Sequence, residues 1–364
     1  ADFRTGFKNK RNQEQRHNAF DGLSSLMEKI DWNKIAFFSA LCFFLSALEY
    51  AVPKPLPFFK IGFANLPILI SLSVLKKKET MLLVFLKIFL QAVISGTLFS
   101  YVFVFSFAGS VASGLFMMLA YFIFRSKISF IGISVCGGLA NNVAQIFLAG
   151  IFMFGSNVKF IAPPMLCASF FTSLALGSFA ENFCRKSVWF NELVLKSPVK
   201  IDSTFSEIEK VNFFYVFLSA IGFSVLTFRN SVFEIYFVVV LFVFLGFIKK
   251  RTLKIFPSVL LIFFIVFFSL FSPHGKILFS FGKLNITLGA LNLGLAKAGR
   301  LCGFVFISQF VISKNIFFHG RVGKFFSNVM SYFSKLAETK IRLKKENFIS
   351  QIDSRLCKVW QNEI

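Results

Sequence analysis

Three side-chain amides lie close together in a segment that is otherwise apolar. Asn141, Asn142 and Gln145 follow the glycine pair Gly137 and Gly138 in a stretch hydrophobic enough to span a bilayer. An amide in hydrocarbon costs free energy unless it is hydrogen-bonded, so a ligand, water or a neighbouring helix must satisfy these groups. At helical spacing, position 145 shares a face with 141 or 142. Two interpretations stay open: a pocket for a polar ligand, or hydrogen bonds between helices that the glycines allow to approach closely.

Charged residues inside apolar segments are the second feature that could do chemistry. Glu49 lies near the outer end of the first predicted span, and Lys87 lies inside the third, with Gln91 one helical turn further on. A charge within the membrane needs a partner, and Glu49 with Lys87 is a candidate pair, although either side chain could instead reach the interface. Arg300 stands in the last apolar segment. Glu234 is its candidate partner on charge alone; the alternative is an interfacial helix that leaves Arg300 in water.

The composition that surrounds these residues indicates an all-α polytopic membrane protein. Hydrophobic residues make up 56% of the 364 residues, mean hydropathy is +0.71, and apolar windows of about 18 residues recur. The net charge is +23, but the Lys and Arg clusters lie between the spans. Positive-inside topology therefore explains the charge, and no nucleic-acid partner is implied.

The pattern predicts about ten transmembrane helices in two blocks. Residues 1–33 form a basic cytoplasmic arm, 34–184 a six-helix block, 185–210 a cytoplasmic linker, 211–313 a four-helix block, and 314–364 basic amphipathic helices on the cytoplasmic side. This arrangement places both termini in the cytoplasm. The spans are predicted at 35–52, 61–75, 80–104, 108–124, 128–152, 160–180, 211–228, 231–248, 255–271 and 286–312.

Several signatures of catalysis and cofactor binding are missing from the sequence. It contains no G-x-x-x-x-G-K-[ST] phosphate-binding loop, its five Asp residues are isolated, and its six Cys and three His are scattered. We therefore expect no catalytic residue, no metal site and no cofactor within the chain, and a role as a non-catalytic membrane subunit.

Residues 35–182 resemble the Gx transporter family, also labelled heptaprenyl diphosphate synthase component I. The matching pieces are Glu49 with Pro53, the runs 61–65, 96–100, 106–109 and 132–145, and Lys87 at a usual arginine position; Asn141 stands where the family has histidine. The family is similar to the six-helix, substrate-binding S components of energy-coupling factor (ECF) importers. The resemblance implies a small-molecule pocket open to the outside and lined from spans two, three and five. The ligand-binding residues we expect are Asn65, Gln91, Asn142 and Gln145.

Two further pieces resemble parts by which such importers assemble. Ala36 and Ala40 resemble the small-residue motif with which S components dock on their partner. Residues 211–364 resemble, more weakly, the transmembrane T component of the same importers, through the run 286–290 that leads into Arg300. Ser354-Arg355 is the nearest match to the Ala-Arg-Gly motif with which T components grip ATPases. The resemblance implies an importer subunit of the bacterial inner membrane, S-like and T-like in one chain, with ATPases on separate chains.

Two alternatives stand beside the importer. Genes of this family often lie beside flavin-transfer and quinone-linked genes, which would imply a membrane component of an electron-transfer complex with flavoprotein or quinone partners. The sequence has no S-G-A-T flavinylation site, only the fragment Ser95-Gly96-Thr97, and leaves open whether flavin or quinone binds. The prenyl synthase label would imply an enzyme, but the missing aspartate clusters argue against it.

Overall fold

The structure is a computed structural model that describes ten stretches of the chain. They are 31–51, 62–124, 127–195, 213–249, 253, 255–271, 276–281, 284–311, 320–338 and 348–361. Most of the predicted N-terminal arm, the proline loop after the first span and residues 196–210 of the predicted linker lie outside the described residues.

Six helices form the first block. They are α1 (Trp32–Ala51), α2 (Leu66–Ser71), α3 (Lys77–Ser95), α4 (Tyr101–Phe124), α5 (Phe130–Ala149) and α6 (Val158–Lys186). A 3-10 turn, Phe63–Asn65, precedes α2, and a π-helical turn, Gly150–Phe154, with a 3-10 turn, Gly155–Asn157, connects α5 to α6. The antiparallel pair of α5 and α6 packs closely, as do α4 and α5.

The second, third and fourth helices of this block differ from the predicted spans. α2 has six residues, a rise of about 9 Å, whereas a bilayer core is about 30 Å thick. The third predicted span, which ran to residue 104, ends at Ser95 because Gly96 adopts the left-handed conformation, with φ 67°, that closes a helix. The fourth helix then begins at Tyr101, seven positions before the predicted start at 108.

The second block and the C-terminal region contain helices and a β-hairpin. The helices are α7 (Val188–Leu195), α8 (Phe213–Phe228), α9 (Val232–Ile248), α10 (Ile255–Ser269), α11 (Leu288–Val311), α12 (Gly320–Glu338) and α13 (Phe348–Gln361). α7 falls within the stretch that the sequence predicted as a linker. The prediction of an all-α fold is wrong at residues 277–287, where strands β1 (Ile277–Phe281) and β2 (Leu284–Thr287) pair antiparallel.

The hairpin explains why the last predicted span starts too early. Phe281 pairs with Leu284 and Phe279 with Ile286, so the apolar residues before the helix are used in a strand. Alternating aromatic and β-branched residues on both sides of a two-residue connection favour such a hairpin. α11 therefore begins at Leu288 rather than Ile286.

Length and composition make this a multi-pass membrane protein. Among the described residues, four apolar stretches are long enough to cross a membrane: Trp32–Glu49, Tyr101–Phe124, Phe130–Lys186, which contains both α5 and α6, and Leu288–Val311. The same part of the chain contains three shorter apolar helices: Tyr215–Phe228, Val232–Ile248 and Ile255–Ser269. The number of ten spans and the orientation of the termini stay predictions.

Two hydrophobic cores hold the described parts together. The first lies where α1, α3 and α6 meet α7 and the C-terminal helices α12 and α13, and includes Phe37, Trp189 and Tyr332. The second lies between the first block and the second, and joins residues of α4 and the turn after α5 to α8–α11. Both ends of the first block are thus packed against later parts of the same chain.

Candidate ligand-binding site

The amide cluster, Asn141, Asn142 and Gln145, lies in the C-terminal half of α5. All three side chains are buried, and the Gln145 Nε2 atom donates a hydrogen bond of 3.2 Å to Asn141 Oδ1. This pair lies against Gly109 of α4, where an added Cβ would stand 2.3 Å from Asn141 Oδ1. Only glycine at position 109 leaves room for the amides between the two helices.

The predicted packing glycines face opposite neighbours of α5. A Cβ at Gly137 would lie 2.4 Å from Met117 of α4, and a Cβ at Gly138 would lie 1.8 Å from the Ser173 hydroxyl of α6. Ser134, one turn earlier, donates a hydrogen bond of 2.8 Å to the Ser173 carbonyl. α5 is therefore held between α4 and α6 at a spacing that larger residues would not allow.

A small cavity, called here the central cavity, opens beside the amide cluster. Its open volume is about 10 Å³, room for roughly one water molecule and far below the roughly 300–1,000 Å³ of small-molecule sites. Its lining is polar on several sides and contains no charged side chain among the described residues. The lining residues are Gly62, Asn65, Met117, Ser134, Gly138, Asn141, Asn142, Ser169, Ser173 and Leu176.

Two lining side chains carry buried polar atoms that find no hydrogen-bond partner within the described ranges. They are Asn142 Oδ1 and Ser169 Oγ, and a third such atom, Gln145 Oε1, lies in the amide cluster. Buried polar atoms are hydrogen-bonded in the great majority of cases, since an unsatisfied one costs about 1–3 kcal/mol. The central cavity is therefore suited to a small group that can hydrogen-bond to α5 and α6 at once.

The charged residues of the first block meet at the turn that forms one wall of this cavity. The Lys87 ammonium donates to Asn65 Oδ1, and the Gly62 backbone N–H donates a bond of 3.3 Å to Glu49 Oε2. Glu49 and Lys87 are each only 5% exposed and interact electrostatically. Gly62 adopts φ 99°, a conformation that other residues rarely take, and this shapes the turn. The two buried groups thus lie behind the cavity wall, each hydrogen-bonded to the 62–65 turn.

The structure brings some of the expected ligand-binding residues together and separates one from them. Asn65 and Asn142 both line the central cavity, and Gln145 contacts it through Asn141. Gln91 is half-buried and is not part of the lining; its backbone carbonyl accepts a bond of 2.6 Å from Ser95 Oγ. The roles of these residues in binding stay predictions.

Sequence reasoning did not select the serine hydroxyls that complete the lining: Ser134, Ser169 and Ser173. Ser134 lies at helical spacing from Gly138, Asn141 and Asn142 on α5, and Ser169 and Ser173 are one turn apart on α6. A stripe of small polar residues at i, i+4 and i+7 in two apolar helices was the available signal. Single serines are common in membrane helices, so the stripe stands out only when both helices are compared.

Comparison with known families supports a transporter-like first block. Residues 38–183 match the family heptaprenyl diphosphate synthase component I. The resemblance inferred from the residues is therefore confirmed over this range, and the match suggests a membrane component of an ECF-like transporter. Residues 207–314 match a domain of unknown function, DUF8519. No curated protein and no solved structure matches the chain.

The first helix of the component I region carries the predicted docking alanines. Ala36 and Ala40 are buried, at 1% and 0% exposure. They lie on one stripe of α1 between Trp32, whose ring is 5.8 Å from that of Phe325, and Phe43, whose ring is 4.3 Å from that of Phe333. α12 therefore covers this stripe.

In the DUF8519 region, Arg300 has different partners from the predicted one. Its guanidinium donates a bond of 2.9 Å to the Arg229 carbonyl oxygen and another to Asn230 Oδ1, both after the end of α8. Glu234 instead accepts from Arg229 Nε at 2.8 Å. The candidate pairing of Arg300 with Glu234 is wrong because the carboxylate already pairs with a nearer cation. The terminal Nη2 of Arg300 bonds to the chain after α8, whereas its Nε is buried without a partner among the described residues.

The described residues show no cluster suited to a metal ion. No group of three or more His, Cys, Asp or Glu side chains comes together in this part of the chain, and the six cysteines are free thiols. The chemistry available at the site is hydrogen bonding by neutral amides and hydroxyls, with the buried Lys87 and Glu49 side chains behind its wall.

Proposed function

We propose that the chain is the membrane subunit of an ECF-type importer, in which the first block binds a small, uncharged polar molecule in the central cavity. The observation that carries the proposal is a pair of buried atoms, Asn142 Oδ1 and Ser169 Oγ. Neither atom has a hydrogen-bond partner among the described residues, and the two residues line the same cavity from α5 and α6. One ligand with two polar groups would satisfy both.

The cavity wall defines the chemistry of that ligand. Its lining offers amide and hydroxyl groups and, among the described residues, no charged side chain. An ionic ligand would lose its hydration without gaining a counter-charge. A neutral molecule with donors and acceptors on opposite sides would lose far less. In this conformation the cavity holds about one water molecule, so a larger ligand binds only when the cavity widens.

The C-terminal helices support a fused, T-like scaffold. The small-residue stripe of α1, which resembles the surface by which S components dock, is covered by α12 of the same chain. Docking of the S-like block would thus be intramolecular. In this proposal, ATPases on separate chains act on α12 and α13 at the cytoplasmic face of a bacterial inner membrane. The exposed cations Lys324 and Lys358 offer them a contact surface.

Ligand binding is tested by native mass spectrometry of the purified chain. We expect a small molecule to copurify and to be lost from the Asn142→Ala and Ser169→Ala variants. Ser113→Ala is the matched control for Ser169→Ala, because the Ser113 hydroxyl is also buried without a partner among the described residues but does not line the cavity. If Asn142→Ala and Ser169→Ala retain the ligand but melt at a lower temperature, the amides only join helices and the binding proposal fails.

The importer assignment is tested by copurification in mild detergent. We expect ATPase chains, recognised by their own G-x-x-x-x-G-K-[ST] loop, to copurify with the wild type and to be lost from the double variant Lys324→Glu, Lys358→Glu. Deleting the C-terminal helices is a poorer test because it would expose Phe37 and the core around it. A complex that contains flavoproteins or quinone and no ATPase would overturn the importer and favour electron transfer.

A further inference from the structure

A second, larger cavity lies on the other side of Leu176 from the central cavity. This lateral cavity has a volume of about 370 Å³. It is enclosed by α1, α2 and α6 on one side and by α7, α12 and α13 on the other. Leu176 lines both cavities.

The shape of the lateral cavity fits a hydrocarbon chain. Along α1 it runs from Phe38 to Leu48, a rise of about 15 Å, within a stretch apolar enough to cross a membrane. Leu48 is 46% exposed and Phe44 and Leu45 are half-buried, so the cavity is open towards the outside of the helix bundle. An apolar space of this size at membrane depth favours a flexible apolar occupant over water.

One charged side chain interrupts this apolar lining. Arg355 of α13 is half-buried and is the only charged residue among the described residues that form the wall. An arginine can line an apolar space with its stem and keep its guanidinium at the rim. Its five N–H donors match phosphate oxygens and allow it to keep a contact within the chain at the same time.

We propose that the lateral cavity holds an acyl chain of an anionic phospholipid whose phosphate binds Arg355. The proposal does not rest on the importer function. The lipid lies between α1 and the C-terminal helices and forms part of their interface. Leu356 and Val359 lie on the same face of α13 as Ile352 and contact the acyl chain of the lipid.

The test compares lipids retained by the full chain. The protein is extracted from vesicles of equal parts phosphatidylglycerol and phosphatidylcholine, and bound lipid is counted by native mass spectrometry. We expect the wild type to prefer phosphatidylglycerol several-fold. Both lipids carry a phosphate, but the choline cation of phosphatidylcholine offsets the attraction of that phosphate to Arg355, whereas phosphatidylglycerol keeps a net negative charge. Arg355→Gln should abolish the preference, Arg355→Lys should restore part of it, and Leu45→Trp, which fills the cavity, should lower retention of both lipids.

Lys358→Gln is the matched control, because Lys358 is one helical turn from Arg355, exposed, and absent from the lining. Its lipid preference should equal that of the wild type. Equal retention of the two lipids by the wild type, or an equal loss in the two Gln variants, would overturn the selection of an anionic lipid by Arg355. A folded wild type that retains no lipid would overturn the proposal and leave residues 52–61 of this chain, or an apolar helix of a partner, as the occupant.

Discussion

The first block is held at two interfaces that differ in chemistry. At the C-terminal interface, where α12 and α13 meet α1 and α7, the Phe37 ring lies 5.0 Å from that of Trp360 and 5.4 Å from that of Tyr332. Asp353 of α13 accepts bonds from the backbone N–H groups of Val188 and Trp189, at 2.9 and 3.1 Å, and from the Ser187 hydroxyl. This carboxylate satisfies the N-terminus of α7.

The second-block interface, where α4 and the turn after α5 meet α10 and α11, is held mainly by apolar packing. The Phe99 N–H donates to Ser308 Oγ at 3.0 Å, and Asn157 Nδ2 donates to the Phe268 carbonyl at 2.7 Å. Gln309 is buried there with neither amide atom hydrogen-bonded to a described residue. The polar groups of this interface are few and are incompletely paired.

The two interfaces differ because different forces hold them together. α12 and α13 carry apolar and polar faces at helical spacing, so water drives their apolar faces onto α1. The helices of the second block are apolar on most sides, and in hydrocarbon the hydrophobic effect does not drive them together; shape and the few hydrogen bonds decide. We therefore expect the C-terminal interface to be rigid and the second-block interface to rearrange more easily.

The largest expected effect is the loss of the ring at the centre of the C-terminal interface. Phe37→Ala should lower the free energy of unfolding by about 3–5 kcal/mol, because Phe37 is fully buried among Trp189, Tyr332 and Trp360. Circular dichroism melts in micelles measure the change. Phe244→Ala is the control, since Phe244 is 62% exposed and should cost little. Equal melting of the two variants would mean that the C-terminal helices do not depend on this core.

Asp353→Asn should have the next largest effect. The variant keeps the size of the side chain but replaces one acceptor oxygen with an amide donor that faces N–H groups at the start of α7. A cost of about 2 kcal/mol is expected. Glu234→Gln, which weakens only the partly exposed pair with Arg229, should cost less than about 1 kcal/mol. If Asp353→Asn and Glu234→Gln lower the free energy of unfolding by the same amount, the contact of Asp353 with the N-terminus of α7 contributes no specific stability.

Asp353 also shows what a sequence can and cannot reveal. It is isolated in the sequence, and its partners lie more than 160 positions earlier, so no local pattern identifies it. The helical, multi-pass character and the first-block family follow from apolar windows and short motifs, which are local signals. Pairings such as Arg300 with the Arg229 carbonyl involve backbone atoms that every residue carries, so residue type gave no clue.

The candidate site also contains some residues that the sequence reveals and others that it does not. Asn142 was predicted because an amide in an apolar segment is costly wherever it points, and Asn65 because the family resemblance implies that the second span lines the pocket. Ser169 and Ser173 carry a smaller cost and became visible only through the packing of α6 on α5. The short α2 was missed because composition records apolar length, whereas Gly62 and the turn 63–65 use part of that length for a turn.

A third effect is confined to alkaline solution and concerns the C-terminal interface. Burial, aided by the Asp31 carboxylate, raises the pKa of Tyr332 to about 12, above the usual value near 10. The folded state therefore keeps its proton where the unfolded state loses it, and stability falls as pH rises from about 10 to 12. Tyr332→Phe should flatten the slope of unfolding free energy against pH in this range. Parallel slopes for the two proteins would show that Tyr332 is not buried by α1.

A smaller effect is expected at the second-block interface from Asn157→Ala. Loss of its hydrogen bond to the Phe268 carbonyl should cost about 1 kcal/mol. Asn191→Ala, at an exposed position of α7, is the control and should be close to neutral. A loss as large as that of Asp353→Asn would place this interface among the rigid ones and remove the contrast between the two.

The smallest expected effect has the opposite sign and concerns Gln309. Its two amide atoms are buried without partners in the described part of the chain, so Gln309→Met, which keeps the volume and removes the polar atoms, should stabilise the protein by up to about 1 kcal/mol. Gln145→Met is the matched control: Gln145 Nε2 is bonded to Asn141, and its loss should destabilise. If both variants destabilise equally in thermal melts, a bound water or ligand satisfies Gln309. The second-block interface would then be a polar contact, as specific as the one that Asp353 makes.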